Sequence, residues 1–330
     1  MTLGMAVLSA SLIAGCGKDD NKTSGTSGTP GAAPTGARQL KVVGFSQEGA
    51  ESDWRKANTL SMQNEAKKRG IELKFTDAQQ KPEKQITDIR SLISQDVDLI
   101  VFAPLVKTGW EQVLQEAKDA HIPVIIEDRK AEVPPELYAC YIGSDFVEEG
   151  RRAARWLGKT MPNGANIAVI EGQQGSDAAE GRKQGFNEAL KEFPKLKVVR
   201  SQTGEFDRGK GKEVMAAFLK SEDAANPIQA VFAHNDDMAL GAIQAIKEAG
   251  KKPGKDIIIV SVDGIKGAFE AMLNGELNCS VECNPLLGPQ VFDLAEKVAK
   301  GEEVPKTTYS IEQVYDAKDV TKEIVDNRKY

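Results

Sequence analysis

The sequence predicts an α/β protein of two similar lobes, each a parallel sheet covered by helices. Three observations carry this. Short β-branched apolar runs alternate with longer runs of helical period from Leu40 onward. The alternation ends once at Ile126 and restarts at Glu148. Polar residues cluster directly after the carboxyl end of one strand after another. Strands that alternate with helices form parallel sheets buried on both faces.

In the first series, Leu40 to Phe45 is a strand, Lys56 to Arg69 a helix stopped by Gly70, Ile71 to Phe75 a strand and Lys84 to Gln95 a helix. Leu99 to Phe102 is a strand, Gly109 to Ala120 a helix and Pro123 to Ile126 a strand. The second series opens with a helix from Glu148 to Thr160. Strands follow at Asn166 to Ile170, Lys197 to Arg200, Ala230 to Ala233, Ile257 to Val262 and Leu277 to Val281. Helices lie between them at Ala179 to Glu192, Arg208 to Leu219, Asp237 to Gly250 and Gly267 to Asn274, and a last long helix spans Pro285 to Lys300.

A chain of 330 residues is long enough for two cores. Its net charge of -6 gives no electrostatic basis for binding nucleic acid. The short basic run Lys67-Lys68-Arg69 reads as a solvated helix face. No internal stretch approaches the roughly 20 apolar residues of a membrane-spanning helix.

The first residues differ from the rest. Met1 to Cys16 is a short apolar stretch ending in small residues, the pattern of an export signal and its cleavage site. Ile13-Ala14-Gly15-Cys16 resembles the bacterial lipobox, which implies cleavage after residue 15 and a lipid anchor on Cys16. Residues 16–38, rich in Gly, Ser, Thr and Pro and without periodicity, read as a flexible tether between membrane and body. Among the other cysteines, Cys279 and Cys283 lie four strand residues apart, about 13 Å, too far for the roughly 7 Å of a disulfide. Buried free thiols are expected, with a bridge from Cys140 to one of the two left open. No Cys/His spacing suggests a zinc site, and nothing calls for a cofactor.

Ligands of open α/β sheets sit beyond the carboxyl ends of the strands. There the chain places Ser46-Gln47-Glu48, Glu127-Asp128-Arg129, Glu171-Gly172-Gln173, Asn235-Asp236 and Asp263-Gly264. Trp54 and Arg55 start the first helix. Arg182 lies near the start of another, and Phe206 stands in a loop before a third. Each has a plainer reading: Trp54 and Phe206 as core, Asp128 and Arg129 as a surface pair, Arg182 as a solvated helix residue. Together they supply what a neutral polyhydroxyl ligand requires. Guanidinium forks and carboxylates bond hydroxyls bidentately, and aromatic faces cover the C–H surfaces. Asn235 and Asp263 end buried strands, where polar groups are otherwise costly.

The segment Asn235-Asp236-Asp237-Met238-Ala239-Leu240-Gly241-Ala242 resembles a signature of ribose-type periplasmic sugar-binding proteins. Ser261-Val262-Asp263-Gly264 is similar to their hinge-proximal turn, and Asp128-Arg129 to their Asp-Arg pair. The stretches Val43 to Gln47, Glu51 to Arg55, Ala103-Pro104, Thr108 to Glu111 and Arg200 to Gln202 resemble the galactofuranose-binding branch. The resemblance covers residues 40 to 330. It implies two Rossmann-like (flavodoxin-like) lobes joined by three crossovers, with one monosaccharide in the cleft. The lobes would be 39–145 with 285–310, and 146–284 with 311–330. By position, Trp54 and Phe206 would flank the sugar, and Arg55, Asp128, Arg129, Arg182, Asn235 and Asp263 would bond its hydroxyls, with Glu51 and Gln47 as further candidates. Cys283 stands where ribose-binding relatives carry Gln, which favours a galactofuranose-like ligand over ribose. The implied protein is an extracytoplasmic, monomeric binding component that delivers sugar to the permease of an ABC importer. A sugar-sensing receptor subunit is the alternative.

An enzyme is disfavoured. Glu127 and Asp128 are adjacent on a strand and point to opposite faces, and no nucleotide-binding or nucleophile-elbow motif occurs. A repressor would need a DNA-binding segment where the leader and tether stand.

Overall fold

From Val42 the chain alternates strand and helix, except that the strand Cys140–Gly143 follows Val124–Asp128 and the strand Val314–Asp316 follows Thr307–Tyr309. The computed structural model describes residues 39–223 and 225–330. The leader, the tether and Cys16 lie outside the described residues.

The first run comprises β1 (Val42–Gln47), α1 (Asp53–Arg69), β2 (Glu72–Asp77), α2 (Pro82–Ser94), β3 (Leu99–Phe102), α3 (Glu111–Asp119), β4 (Val124–Asp128) and β5 (Cys140–Gly143). The second comprises α4 (Phe146–Thr160), β6 (Ala165–Glu171), α5 (Asp177–Leu190), β7 (Leu196–Thr203), α6 (Arg208–Lys220), β8 (Ala230–Ala233), α7 (Asp236–Glu248), β9 (Ile258–Asp263), α8 (Lys266–Leu273) and β10 (Cys279–Glu282). The chain closes with α9 (Gly288–Ala299), β11 (Thr307–Tyr309), β12 (Val314–Asp316) and α10 (Lys322–Asn327).

These strands form two six-stranded sheets, ordered β11-β5-β4-β3-β1-β2 and β12-β10-β9-β8-β6-β7. Every pairing is parallel except β10 with β12. The chain crosses between the sheets three times: between β5 and α4, between β10 and α9, and between β11 and β12. This is the two-lobed α/β architecture expected from the sequence. Four elements were not expected: β5, β11, β12 and α10.

Strand alternation explains the first core. Leu99 and Val101 of β3 pack with Met62 of α1 and Phe292 of α9, whereas Ile100 and Phe102 pack with Leu92 of α2 and Trp110. A side-chain period of 2 sends neighbouring residues to opposite helix layers. Each fully buried aliphatic or aromatic side chain contributes about 1.5–3 kcal/mol, so a four-residue strand buried on both faces is stable despite its length.

Helix starts are fixed by caps at the carboxyl edge of the sheets. The Ser52 hydroxyl accepts from Arg55 N at 3.1 Å, so α1 begins earlier than its apolar period suggests. Ser176 caps α5 and Asn235 caps α7 in the same way. A side-chain oxygen on an orphan helix N–H is worth about 1 kcal/mol. These caps place Trp54, Arg55 and Arg182 in the first two turns of their helices, facing the cleft edge.

The crossovers meet at one carboxylate. Glu312 accepts from Ser144 Oγ at 2.5 Å, Asn284 N at 3.1 Å and Ser310 Oγ at 2.7 Å. One donor comes from each passage between the sheets. The cysteines at 140, 279 and 283 are buried free thiols. No helix among the described residues is long and apolar enough to cross a membrane.

Candidate functional site

A narrow cavity lies between the carboxyl edges of the two sheets. Its walls hold Glu51, Trp54, Arg55, Asp128 and Arg129 from the first run and Phe146, Arg182, Phe206, Asn235 and Asp263 from the second. Nine of the ten candidates read from the sequence therefore line one space. Gln47 does not. It ends β1 with its side chain turned to α1, where Nε2 donates to Asn58 Oδ1 at 2.8 Å and to Thr59 Oγ1 at 3.1 Å, and Oε1 accepts from Glu48 N. Its polar atoms are used inside the protein.

The first wall is an ion-pair network. Arg55 Nη2 donates to Asp128 Oδ2 at 2.6 Å, and Arg55 Nε lies 3.1 Å from Glu48 Oε1. Arg129 Nη2 reaches the same Glu48 oxygen at 3.0 Å. The Arg55 guanidinium lies over the Trp54 ring, 4.7 Å from its centroid. The Trp54 indole is fixed in turn by an N–H···O bond of 2.6 Å to the Cys283 carbonyl on the opposite side of the cleft. Burial pushes the Glu48 carboxyl up to about 7, against the pull of Arg129. Burial and the neighbouring Asp128 push Glu127 up to about 8.

The second wall is built around Arg182. Its Nε donates to Glu149 Oε2 at 2.7 Å, its Nη1 to the His234 carbonyl at 2.6 Å, and its Nη2 lies 3.6 Å from Asp263 Oδ1. Burial pushes Glu149 up to about 8 although Arg182 opposes it, and burial likewise raises Asp263 well above the usual carboxylate range. Burial, together with Arg182 and Lys183, keeps His234 neutral. Asn235 caps α7 through Oδ1 and donates from Nδ2 to the Phe206 carbonyl at 3.1 Å. An amide retains a second N–H and a second lone pair after those bonds.

Phe206 is set by backbone. Glu205 and Phe206 both take left-handed conformations, φ 53° and 62°. The ring rests on Gly172, where a Cβ would come within 2.0 Å of Cζ. Arg129 and Arg182 lie 5.2 and 5.8 Å from its centroid.

Arg55 Nη1, Glu51 Oε2 and Arg129 Nε are buried without a hydrogen-bond partner in the protein. An unpaired buried polar group costs about 1–3 kcal/mol, which a ligand hydroxyl would offset. Cationic forks and carboxylates face the same space in mixed order, so an anionic ligand would meet Glu51, Asp128 and Asp263. A neutral molecule dense in hydroxyls meets a partner at each.

The rims also touch. Arg208 Nη2 bonds both Asp53 (2.9 Å) and Asp237 (2.6 Å), and Lys107 Nζ reaches Glu180 at 3.0 Å. Sequence reasoning did not single out Ser52, Phe146, Ala178 or Glu149, and it placed Glu48 only in the strand-end run Ser46-Gln47-Glu48. Cys283 was marked only as a departure from ribose-binding relatives, yet it lines the cavity.

Residues 43–303 match the family model of the periplasmic binding protein domain. The chain belongs to this family. Among its relatives, the galactofuranose-binding protein YtfQ of Escherichia coli strain K12 is 47% identical over 291 residues, covering 87% of this chain and 91% of that one. Two solved structures are similar to this one. A Mycobacterium smegmatis protein in complex with β-D-fucofuranose has a TM-score of 0.84 at 49% identity, covering 87% of this chain and 94% of that one. The binding component of the arabinose ABC transporter of Shewanella sp. ANA-3, bound to α- and β-L-arabinofuranose, has a TM-score of 0.85 at 49% identity, covering 88% and 96%.

Proposed function

We propose that this periplasmic binding protein captures a neutral monosaccharide, in furanose form, and delivers it to the permease of an ABC importer. The observation that carries the reading is the lining of the shared cavity: guanidinium forks, carboxylates and aromatic faces from both sheets converge on one space. Trp54 and Phe206 cover its C–H faces. Arg55, Asp128, Arg129, Arg182, Asn235 and Asp263 bond its hydroxyls, with Glu51 beside them. Cys283, a small and weakly bonding side chain, stands at the wall where ribose-binding relatives carry Gln, which favours a furanose-form hexose or L-arabinose over ribose. The relatives bound to furanose sugars support the same preference.

The closing lobes are 39–145 with 285–310 and 146–284 with 311–330. The protein works as a monomer outside the cytoplasm, held at the membrane by lipid on Cys16, with residues 16–38 as the tether. It binds and releases without chemistry.

A thermal-shift screen of pentoses and hexoses tests this. A ligand that binds only the folded state at 100 times its Kd adds about 2.7 kcal/mol of stability. D-galactose, D-fucose and L-arabinose, which equilibrate with their furanose forms in solution, should raise the melting temperature, and ribose should do so less. No response to any sugar refutes the reading.

A further inference from the structure

The carboxylate of Asp263 reaches the cavity from an unusual backbone. Asp263 has φ 129° and Gly264 has φ 78°. A residue other than glycine held at positive φ persists only where its surroundings over-determine it. Here the turn Asp263-Gly264-Ile265 is gripped from two sides. On one, the buried Asp236 carboxylate accepts from Gly264 N at 2.7 Å, Ile265 N at 2.8 Å and Ser280 Oγ at 2.8 Å, and also from Ser261 Oγ. On the other lies the end of the chain. Arg328 Nε donates to the Gly264 carbonyl at 2.6 Å, and Lys266 N donates to the Tyr330 carbonyl at 2.6 Å.

Arg328 is itself locked. Its guanidinium lies 4.6 Å from the Phe269 ring centroid and 4.2 Å from that of Tyr330, and Nη2 donates to Glu282 Oε1 at 3.0 Å. The Tyr330 hydroxyl reaches the same Glu282 oxygen at 3.0 Å. Neither Arg328 nor Tyr330 lines the cavity.

We propose that Arg328 is a positioning residue for ligand binding: the C-terminal Arg328–Tyr330 clasp holds the Asp263-Gly264 turn in its strained form and so fixes the Asp263 carboxylate against the sugar. This rests on the reading of Asp263 as a sugar ligand. The guanidinium fork carries the effect, because Nε bonds the turn while Nη2 bonds Glu282. Lysine retains the charge beside Glu282 but has no second donor at the position of Nε.

The test is a double-mutant cycle by calorimetry with L-arabinose and D-galactose, using Arg328→Lys, Asp263→Ala and the double variant, each with its thermal midpoint measured. The clasp predicts that Arg328→Lys weakens binding about tenfold, the scale of one charge-assisted hydrogen bond. It also predicts that the same change has no further effect once Asp263 is Ala. A merely structural role would lower affinity equally in both backgrounds, and that result overturns the proposal. Unchanged affinity in Arg328→Lys overturns it as well. If Asp263→Ala alone binds as the wild type does, the reading of Asp263 as a ligand fails first, and the proposal with it. Should Arg328→Lys fold poorly, Tyr330→Phe removes only the hydroxyl bond to Glu282. It should then give a smaller loss that also vanishes in the Asp263→Ala background, and an undiminished loss there is the overturning result.

Discussion

Replacing Arg182 by Met separates the sugar site from the fold. The residue is 3% exposed and makes three polar contacts, to Glu149, the His234 carbonyl and Asp263. Methionine preserves much of the volume and removes every donor. On the ligand side, one charge-assisted hydrogen bond is lost, about 1.5–3 kcal/mol. That corresponds to an increase in Kd of roughly 10- to 150-fold. On the folding side, breaking a buried ion pair costs about 3–5 kcal/mol when the partner stays charged. Glu149 limits that cost, because burial has already pushed its carboxyl up to about 8 and it holds a proton once the cation is gone. The expected variant is folded, melts several degrees lower, and binds sugar at least tenfold more weakly by calorimetry at pH 7. Circular dichroism establishes the fold, and Arg182→Lys serves as the charge-retaining control. A folded Arg182→Met protein whose Kd stays within threefold of the wild type refutes the assignment of this cavity.

Three further predictions follow from other parts of the site. Asp53→Asn weakens the exposed rim contact with Arg208, worth up to about 1 kcal/mol, and an exposed pair with Lys56 on its own helix, so affinity should fall less than about fivefold; a larger loss by calorimetry would show the rim to be part of the site. Gly172→Ala should displace the Phe206 ring and weaken sugar binding without a new cavity contact, and unchanged affinity would contradict the packing of that ring on Gly172. Glu149 has a folded pKa raised to about 8 from 4.5, so its native form binds more protons than its unfolded form between those values. The contribution of this carboxyl to stability therefore falls as pH rises from about 5 to 8, and Glu149→Gln should remove that part of the pH dependence in thermal melts; an identical pH dependence in both proteins rejects the buried carboxyl as a contributor.

The parts of the molecule legible in the sequence share a physical cause. β-branched runs such as Leu99 to Phe102 are long enough to bury on two faces, and the polar residue that ends each run must leave the sheet at its carboxyl edge. Asp128, Asn235 and Asp263 were readable on that ground. Gln47 satisfies the same rule, yet its side chain turns to Asn58 and Thr59, because neighbouring strand residues alternate in face and sequence does not say which face meets the cleft. Glu149 was hidden. Phe146-Val147-Glu148-Glu149-Gly150 reads as an ordinary helix start, and Glu149 is buried only because Gly150 and Gly185 let α4 and α5 approach closely enough for Arg182 to meet it. The strands β11 and β12 have three residues each, and their pairing partners lie far away in the chain. No local period marks them.

Those two short strands tie the edges of both sheets to one stretch of chain. Each lies at the outer edge of a different sheet, β11 against β5 and β12 against β10. Between them sits Glu312, whose carboxylate ties the three passages together. Without residues 307–316, the longer strands β5 and β10 would themselves be the outer strands, each a template for pairing with other chains. One short segment, residues 307–316, thus supplies an outer strand to both lobes. A chain lacking it would keep the other two passages but lose the carboxylate that joins them.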